Sequence, residues 1–125
     1  MSAMGWVAFL AAAGSGACSR FVLASLVQAR TGGHHPWGTF VVNTVGCLGA
    51  GVVAGLVIHQ GLGPELSKVL AVGFLGSFTT FSTFTYETVR LAETGEWSAA
   101  TANAIGSAVV GALAAWLGLA LTAAW

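Results

Sequence analysis

Residues 4–28, 37–58, 68–91 and 99–124 form four apolar stretches, and together they take up 97 of the 125 residues. Each is long enough to cross the hydrocarbon core of a bilayer, for which about 20 residues suffice. A segment crossing lipid has to satisfy its own backbone N–H and C=O groups, so each stretch is expected to be a helix. The expected fold is an all-α membrane protein with four transmembrane helices in one domain over residues 1–125, with no room for a soluble domain. Charge agrees: 6% of residues are charged and 56% are hydrophobic, against roughly 25% charged in an ordinary soluble domain. Four basic and four acidic side chains cancel, which leaves no basic surface for nucleic acid.

The stretches are separated by the turn-forming segments "ARTGGHHP", "HQGLGPELS" and "AETGEWS". Trp6, Trp37, Trp97 and Trp125 stand at the expected span ends, where indole prefers the headgroup region. The first stretch contains "VAFLAAAGSGA", which has the look of a signal-peptide core, yet no Lys or Arg precedes it and it runs on to Val27; it is expected to be retained as a span.

Lys and Arg are almost evenly divided between the two faces that four spans create. Lys68 and the N-terminal amine fall on one face, and Arg30 and Arg90 on the other, with Arg20 about two turns inside on that second side. So small a bias permits insertion in either direction, which would supply an antiparallel pair from one sequence. No internal repeat is visible, so the second half of any inverted-repeat transport path has to come from a second copy. Small residues recur at four-residue spacing, as Ala12 and Gly16, Gly46 and Ala50, Gly51 and Gly55, Ser107 and Gly111, and Gly111 and Ala115. They allow close helix approach in a dimer or a tight bundle. Cys18 and Cys47 lie among small apolar residues without metal-ligand spacing and are read as packing residues.

The third stretch carries "GFLGSFTTFSTF", residues 73–84, in which Ser77, Thr79, Thr80, Ser82 and Thr83 alternate with three Phe. Two readings stand. The hydroxyls can bond back to carbonyls of the preceding turn and bend an intact helix. Alternatively the helix breaks near its middle, and the freed carbonyls line a polar cavity where a hard cation such as Na⁺ finds oxygen ligands. Phe81 and Phe84, three apart, share a face if the downstream half is helical. They are lipid or core contacts on one reading, and electropositive ring edges for a small anion on the other.

Asn43, in the second stretch, requires a partner if buried. It either joins two helices or donates N–H groups to an anion, with Thr39 one turn earlier on the same face. Arg20 and Glu87 are ionisable groups within or near spans, and such groups are functional or paired. Arg20 can snorkel to the interface, and Glu87 can pair with Arg90 three residues on. His34, His35 and His59 are read as interfacial.

These motifs, in order, resemble the Fluc (CrcB-type) fluoride channels of bacteria. "GSGACSR", ending at Arg20, is similar to that family's Gly-rich, Arg-ending motif. "PWGTFVVNTVGCLG" is similar to its Pro-x-Gly-Thr-x-x-x-Asn-x-x-Gly motif, and "GFLGSFTTFSTFTYE" to its third-span signature. The resemblance covers nearly the whole chain. It implies a multi-pass protein of the bacterial plasma membrane, an antiparallel dual-topology dimer in membrane lipid, with two pores that export fluoride passively and prevent its accumulation. By position, Asn43 would face the pore and donate to fluoride, and Phe81 and Phe84 would supply ring edges. Gly76 and Thr79 would give backbone carbonyls to a structural Na⁺ on the dimer axis. Thr80, Ser82 and Thr83 would line the break, Thr39, Glu87 and Ser107 would be secondary pore positions, and Arg20 would be a structural arginine near the pore mouth.

Two positions depart from the family pattern. Ser77 stands where a second Gly is common, which is expected to make the local turn harder to reach. Asn103 stands where the fourth span often has Tyr, four residues before Ser107. Either Asn103 substitutes as a donor or the chain pairs with a differing homologue; a homodimer is the expectation. A small multidrug-type antiporter, which is also a four-span dimer, would need a carboxylate in the first span, and that span's one ionisable side chain is Arg20. A structural subunit, with the span-three hydroxyls as helix glue, is excluded only by the ordered motifs. No triad, paired carboxylates or phosphate-binding loop suggests an enzyme.

Overall fold

The computed structural model describes residues 1–124; Trp125, expected to mark the last span end, lies outside them. All the regular secondary structure of the described residues is helical. Helix α1 runs Ala3–Thr31 and α2 Trp37–Gln60. The third span, Pro64–Glu93, is built from α3 (Pro64–Lys68), a π-helical segment (Val69–Leu75), α4 (Gly76–Phe78) and α5 (Phe81–Glu93). Helix α6 runs Trp97–Ala123. Four helical segments are therefore long and apolar enough to cross a membrane, where the hydropathy of the sequence places them. The third is broken after Phe78.

The ends have local causes. Ser2 caps α1 by accepting the Gly5 N–H at 2.9 Å. At the end of α2, Gly61 adopts a left-handed conformation, φ 67°. The N–H of the next residue, Leu62, reaches back to the Leu56 carbonyl at 3.1 Å, which is how glycine closes a helix. The two ends of the bundle can be followed in side chains. At one, the Ser2 N–H and hydroxyl both donate to Glu65 Oε1, at 3.0 and 2.7 Å, tying the start of α1 to the start of the third span. At the other, the Gln28 carboxamide donates to the His35 carbonyl and accepts the Gly38 N–H, at 3.2 and 3.1 Å, fixing the first turn.

Inside the bundle the glycines act as points of contact between backbones. A Cβ on Gly51 would collide with the Ala115 carbonyl, and one on Gly118 with the Leu48 carbonyl, so α2 and α6 touch main chain to main chain. Gly16 of α1 leaves space for the Phe74 carbonyl of the π-helical segment, and Gly46 for the Thr79 side chain. The four-residue stripes, compatible in the sequence with a dimer or a bundle, are thus used within one chain at Gly16, Gly46, Gly51 and Gly55. Few side chains are buried, among them Val42, Phe78, Leu91, Asn103 and Thr122. Leu10, Phe21, Leu113 and Trp116 face outward, as expected where the surroundings are lipid. Cys18 also faces outward and is not a buried packing residue; Cys47 is half-buried with its Sγ toward Gly111.

Candidate functional site

The third span breaks at two residues, Thr79 (φ −83°, ψ 161°) and Thr80 (φ −146°, ψ 121°), both extended. Above the break, the Thr79 N–H and its hydroxyl both donate to the Leu75 carbonyl at 2.9 Å. Below it, the Thr80 hydroxyl accepts the Thr83 N–H at 3.2 Å and caps α5. Of the two readings of the hydroxyl run, the break holds at Thr79 and Thr80. Further down, Thr85 and Thr88 bond back to carbonyls one turn earlier.

Two side chains from other helices hold the extended residues. Asn43 of α2 donates from Nδ2 to the Thr80 carbonyl and accepts the Thr80 N–H at Oδ1, each at 2.9 Å. In a continuous helix that N–H would donate to the Gly76 carbonyl; here Gly76 O is released from it. Arg20 of α1 donates from Nη1 to the Thr79 carbonyl at 3.3 Å. Arg20 therefore turns inward to the break instead of snorkelling to the interface. Gly76 and Thr79 each present a carbonyl oxygen, the ligand type a hard cation takes, and a carbonyl with two lone pairs can accept Arg20 and still coordinate.

The break opens into a cavity of about 480 Å³ whose lining includes Asn43, Gly76, Thr80, Phe81, Phe84 and Ser107. The rings of Phe81 and Phe84 are 5.9 Å apart, tilted by 43°, and Phe81 is 77% exposed in the single chain. The Ser107 hydroxyl is buried without a hydrogen-bond partner among the described residues. A second cavity, of about 500 Å³, lies toward the first turn and is lined in part by Gln28, His34, Thr39, Thr83, Glu87 and Arg90. Thr80, the N-cap of α5, lines the first cavity, and Thr83 and Glu87, one turn apart on α5, line the second. Ser82 lines neither; its hydroxyl is 3.4 Å from that of Thr80.

Glu87 does not pair with Arg90. Its Oε1 accepts the Thr39 hydroxyl at 2.9 Å, while Arg90 reaches Glu93 at 3.8 Å, because α5 turns Glu87 toward α2 and leaves the Arg90 side chain outside. Its Oε2 is buried without a partner among the described residues. Asn103 does not line the cavity: it is 1% exposed and donates to the Thr88 hydroxyl at 2.8 Å. Thr88 carries no family motif, and only its place opposite Asn103 in the folded hairpin identifies it. Ser77 sits in helical α4, and among the described residues none other than Gly has a positive φ. The chain turns through extended Thr79 and Thr80, so glycine's freedom is not required at Ser77.

The "CrcB-like protein, Camphor Resistance (CrcB)" family matches residues 6–119, which contain the break, both cavities and every residue that holds them. The chain belongs to the CrcB family. It is 46% identical over 120 residues to a protein of Symbiobacterium thermophilum named "Fluoride-specific ion channel FluC 1", covering 94% of this chain and 97% of that one. It is 48% identical over 105 residues to "Fluoride-specific ion channel FluC" of Nitratidesulfovibrio vulgaris, covering 83% and 85%. A Streptomyces avermitilis relative of the first name is 43% identical, covering 93% and 94%.

Proposed function

We propose that this CrcB-family protein is a fluoride-selective channel of the bacterial plasma membrane, letting fluoride leave the cell passively so that it does not accumulate. The observation that carries this reading is the cavity at the break. It offers amide and hydroxyl donors and two aromatic rings, and no Lys, Arg or His lines it. Fluoride is small and strongly hydrated, so a path through low dielectric has to replace its water with donors already in place. Asn43 has two hydrogens on Nδ2 and uses one on Thr80; the second is available to the ion. The Ser107 hydroxyl is unspent. The ring edges of Phe81 and Phe84 are electropositive enough to receive an anion and too weak to trap it. Thr83, Thr39 and Glu87 continue the path to the far vestibule, and Ser82 stands beside it.

The working unit is an antiparallel dual-topology homodimer embedded in lipid. Supporting it are the balanced Lys and Arg of the two faces and the exposure of Phe81, which a single chain leaves uncovered. The Gly76 and Thr79 carbonyls of both copies would hold one structural Na⁺ on the dimer axis, where it would neutralise converging carbonyl dipoles. The deciding measurement is fluoride efflux from loaded liposomes, followed with a fluoride electrode and compared with chloride. Rapid fluoride loss with chloride retained supports the reading; retention of fluoride by the folded protein refutes it.

A further inference from the structure

The only side chain to side chain hydrogen bond between α5 and α6 among the described residues runs from Asn103 Nδ2 to Thr88 Oγ1, at 2.8 Å. An amide N–H can only donate, so Thr88 is the acceptor in this bond and has to spend its own hydrogen elsewhere. It donates that hydrogen to the carbonyl of Phe84, at 2.7 Å, the shortest of the hydroxyl back-bonds in the third span. The direction of every bond is therefore fixed: Asn103 N–H to Thr88 O–H to Phe84 C=O. A hydroxyl that accepts a hydrogen bond becomes a better donor, and a Thr bonded to the carbonyl one turn back bends its helix there. The turn so held is the one that carries the Phe84 ring into the cavity.

We infer that Asn103 is a positioning residue for the ion path: through Thr88 it fixes the backbone turn that aims Phe84 at the cavity, without itself touching the ion. Asn103 is buried and absent from the cavity lining, whereas Ser107, one turn along the same face of α6, lines it. One face of α6 thus combines a residue that holds α5 in place with a residue that meets the cavity. This inference rests on the channel reading for its consequence, and on the hydrogen bonds alone for its geometry.

The test uses full-length protein reconstituted in lipid, with Asn103→Leu and Thr88→Val as variants of similar shape. Two Phe–Thr peptide bonds occur in the sequence, Phe78–Thr79 and Phe84–Thr85. Labelling Phe at the carbonyl with ¹³C and Thr with ¹⁵N therefore gives two signals, with Phe78 as the internal control. Both variants are expected to move the Phe84 carbonyl resonance and leave that of Phe78 in place. Each should lower fluoride turnover per folded channel by about tenfold, the scale of one hydrogen bond. The double variant should fall no further than either single, whereas Ser107→Ala should add its own loss to Asn103→Leu. A Phe84 resonance unmoved in both variants, unchanged turnover, or independent losses in the double variant would overturn the inference. Absence of fluoride efflux in the unaltered protein would refute the channel reading alone, and the carbonyl shifts would still decide the relay.

Discussion

Asn43 grips Thr80 by both ends of its carboxamide, donating to the Thr80 carbonyl and accepting the Thr80 N–H, each at 2.9 Å. A side chain on one helix thereby performs the pairing that an adjacent strand would give an extended residue, at membrane depth where backbone groups have to be paired or line a polar cavity. The break in the third span is therefore stable because a second helix has been recruited to satisfy it.

Asn43→Leu should leave both Thr80 backbone groups unpaired, at a cost of about 1–3 kcal/mol, and should lower thermal stability along with efflux. Asn43→Asp separates the two duties. It keeps an acceptor for the Thr80 N–H but turns an oxygen toward the Thr80 carbonyl and sets a negative charge in the anion path. Its efflux should fall further than its melting temperature explains. Equal behaviour of both variants in efflux and melting would show that Asn43 only holds the break.

Gly51→Ala and Gly118→Ala would each drive a Cβ into a carbonyl of the facing helix, Ala115 in one case and Leu48 in the other. Backbone cannot move aside as a flexible side chain can, so each should destabilise by about 1–3 kcal/mol. Gly14 is the control: a Cβ there meets nothing within 4 Å, and alanine is the better helix former. Gly14→Ala should melt at or above the unaltered protein. The three melting curves in one detergent check the contrast.

The extent of the spans was legible because membrane length and hydropathy constrain each segment by itself. The break was half-legible: Ser77 through Thr83 showed surplus hydroxyl, but a bent and a broken helix have the same composition. The resemblance to the family implied the break, and what holds it is Asn43, 37 residues away from Thr80 in the chain. The π-helical turns at Val69–Leu75 were not read from the sequence; there the segment approaches α1 closely at Gly16 and Gly73. The Glu87–Arg90 pairing failed for a related reason, because spacing along one helix does not say which residue a neighbouring helix will engage. Thr39 was available to Glu87, and Arg90 found Glu93.

Phe81 and Phe84 differ in what they bury. Phe81 is 77% exposed in the single chain, so Phe81→Ile removes little packing within it, and folding should be retained. Efflux should nevertheless drop about tenfold, since Ile has the bulk of the ring but no electropositive edge. Phe84→Ile should lower efflux similarly and cost more stability, because that ring is half-buried against the cavity wall. Measuring turnover and melting for both variants separates these effects. Full turnover in Phe81→Ile would remove this ring from the ion path.

Arg20 approaches the Thr79 carbonyl oxygen at 3.3 Å, the atom at which the proposed Na⁺ would also bind. Two cations sharing an acceptor repel, yet the guanidinium spreads its charge and needs only one of the two lone pairs. With both in place, the carbonyl dipoles released by the break would have two sources of compensation. Replacing Na⁺ in the medium with a bulky organic cation should lower thermal stability and efflux, and restoring Na⁺ should reverse the loss. In Arg20→Gln the carbonyl keeps a neutral donor but loses the neighbouring charge, so the protein should depend more steeply on Na⁺ concentration. Melting temperature against Na⁺ concentration, taken for both proteins, reads this directly. Identical curves would mean that Arg20 and the cation do not share the Thr79 oxygen, and a flat curve in both would remove the cation from the break.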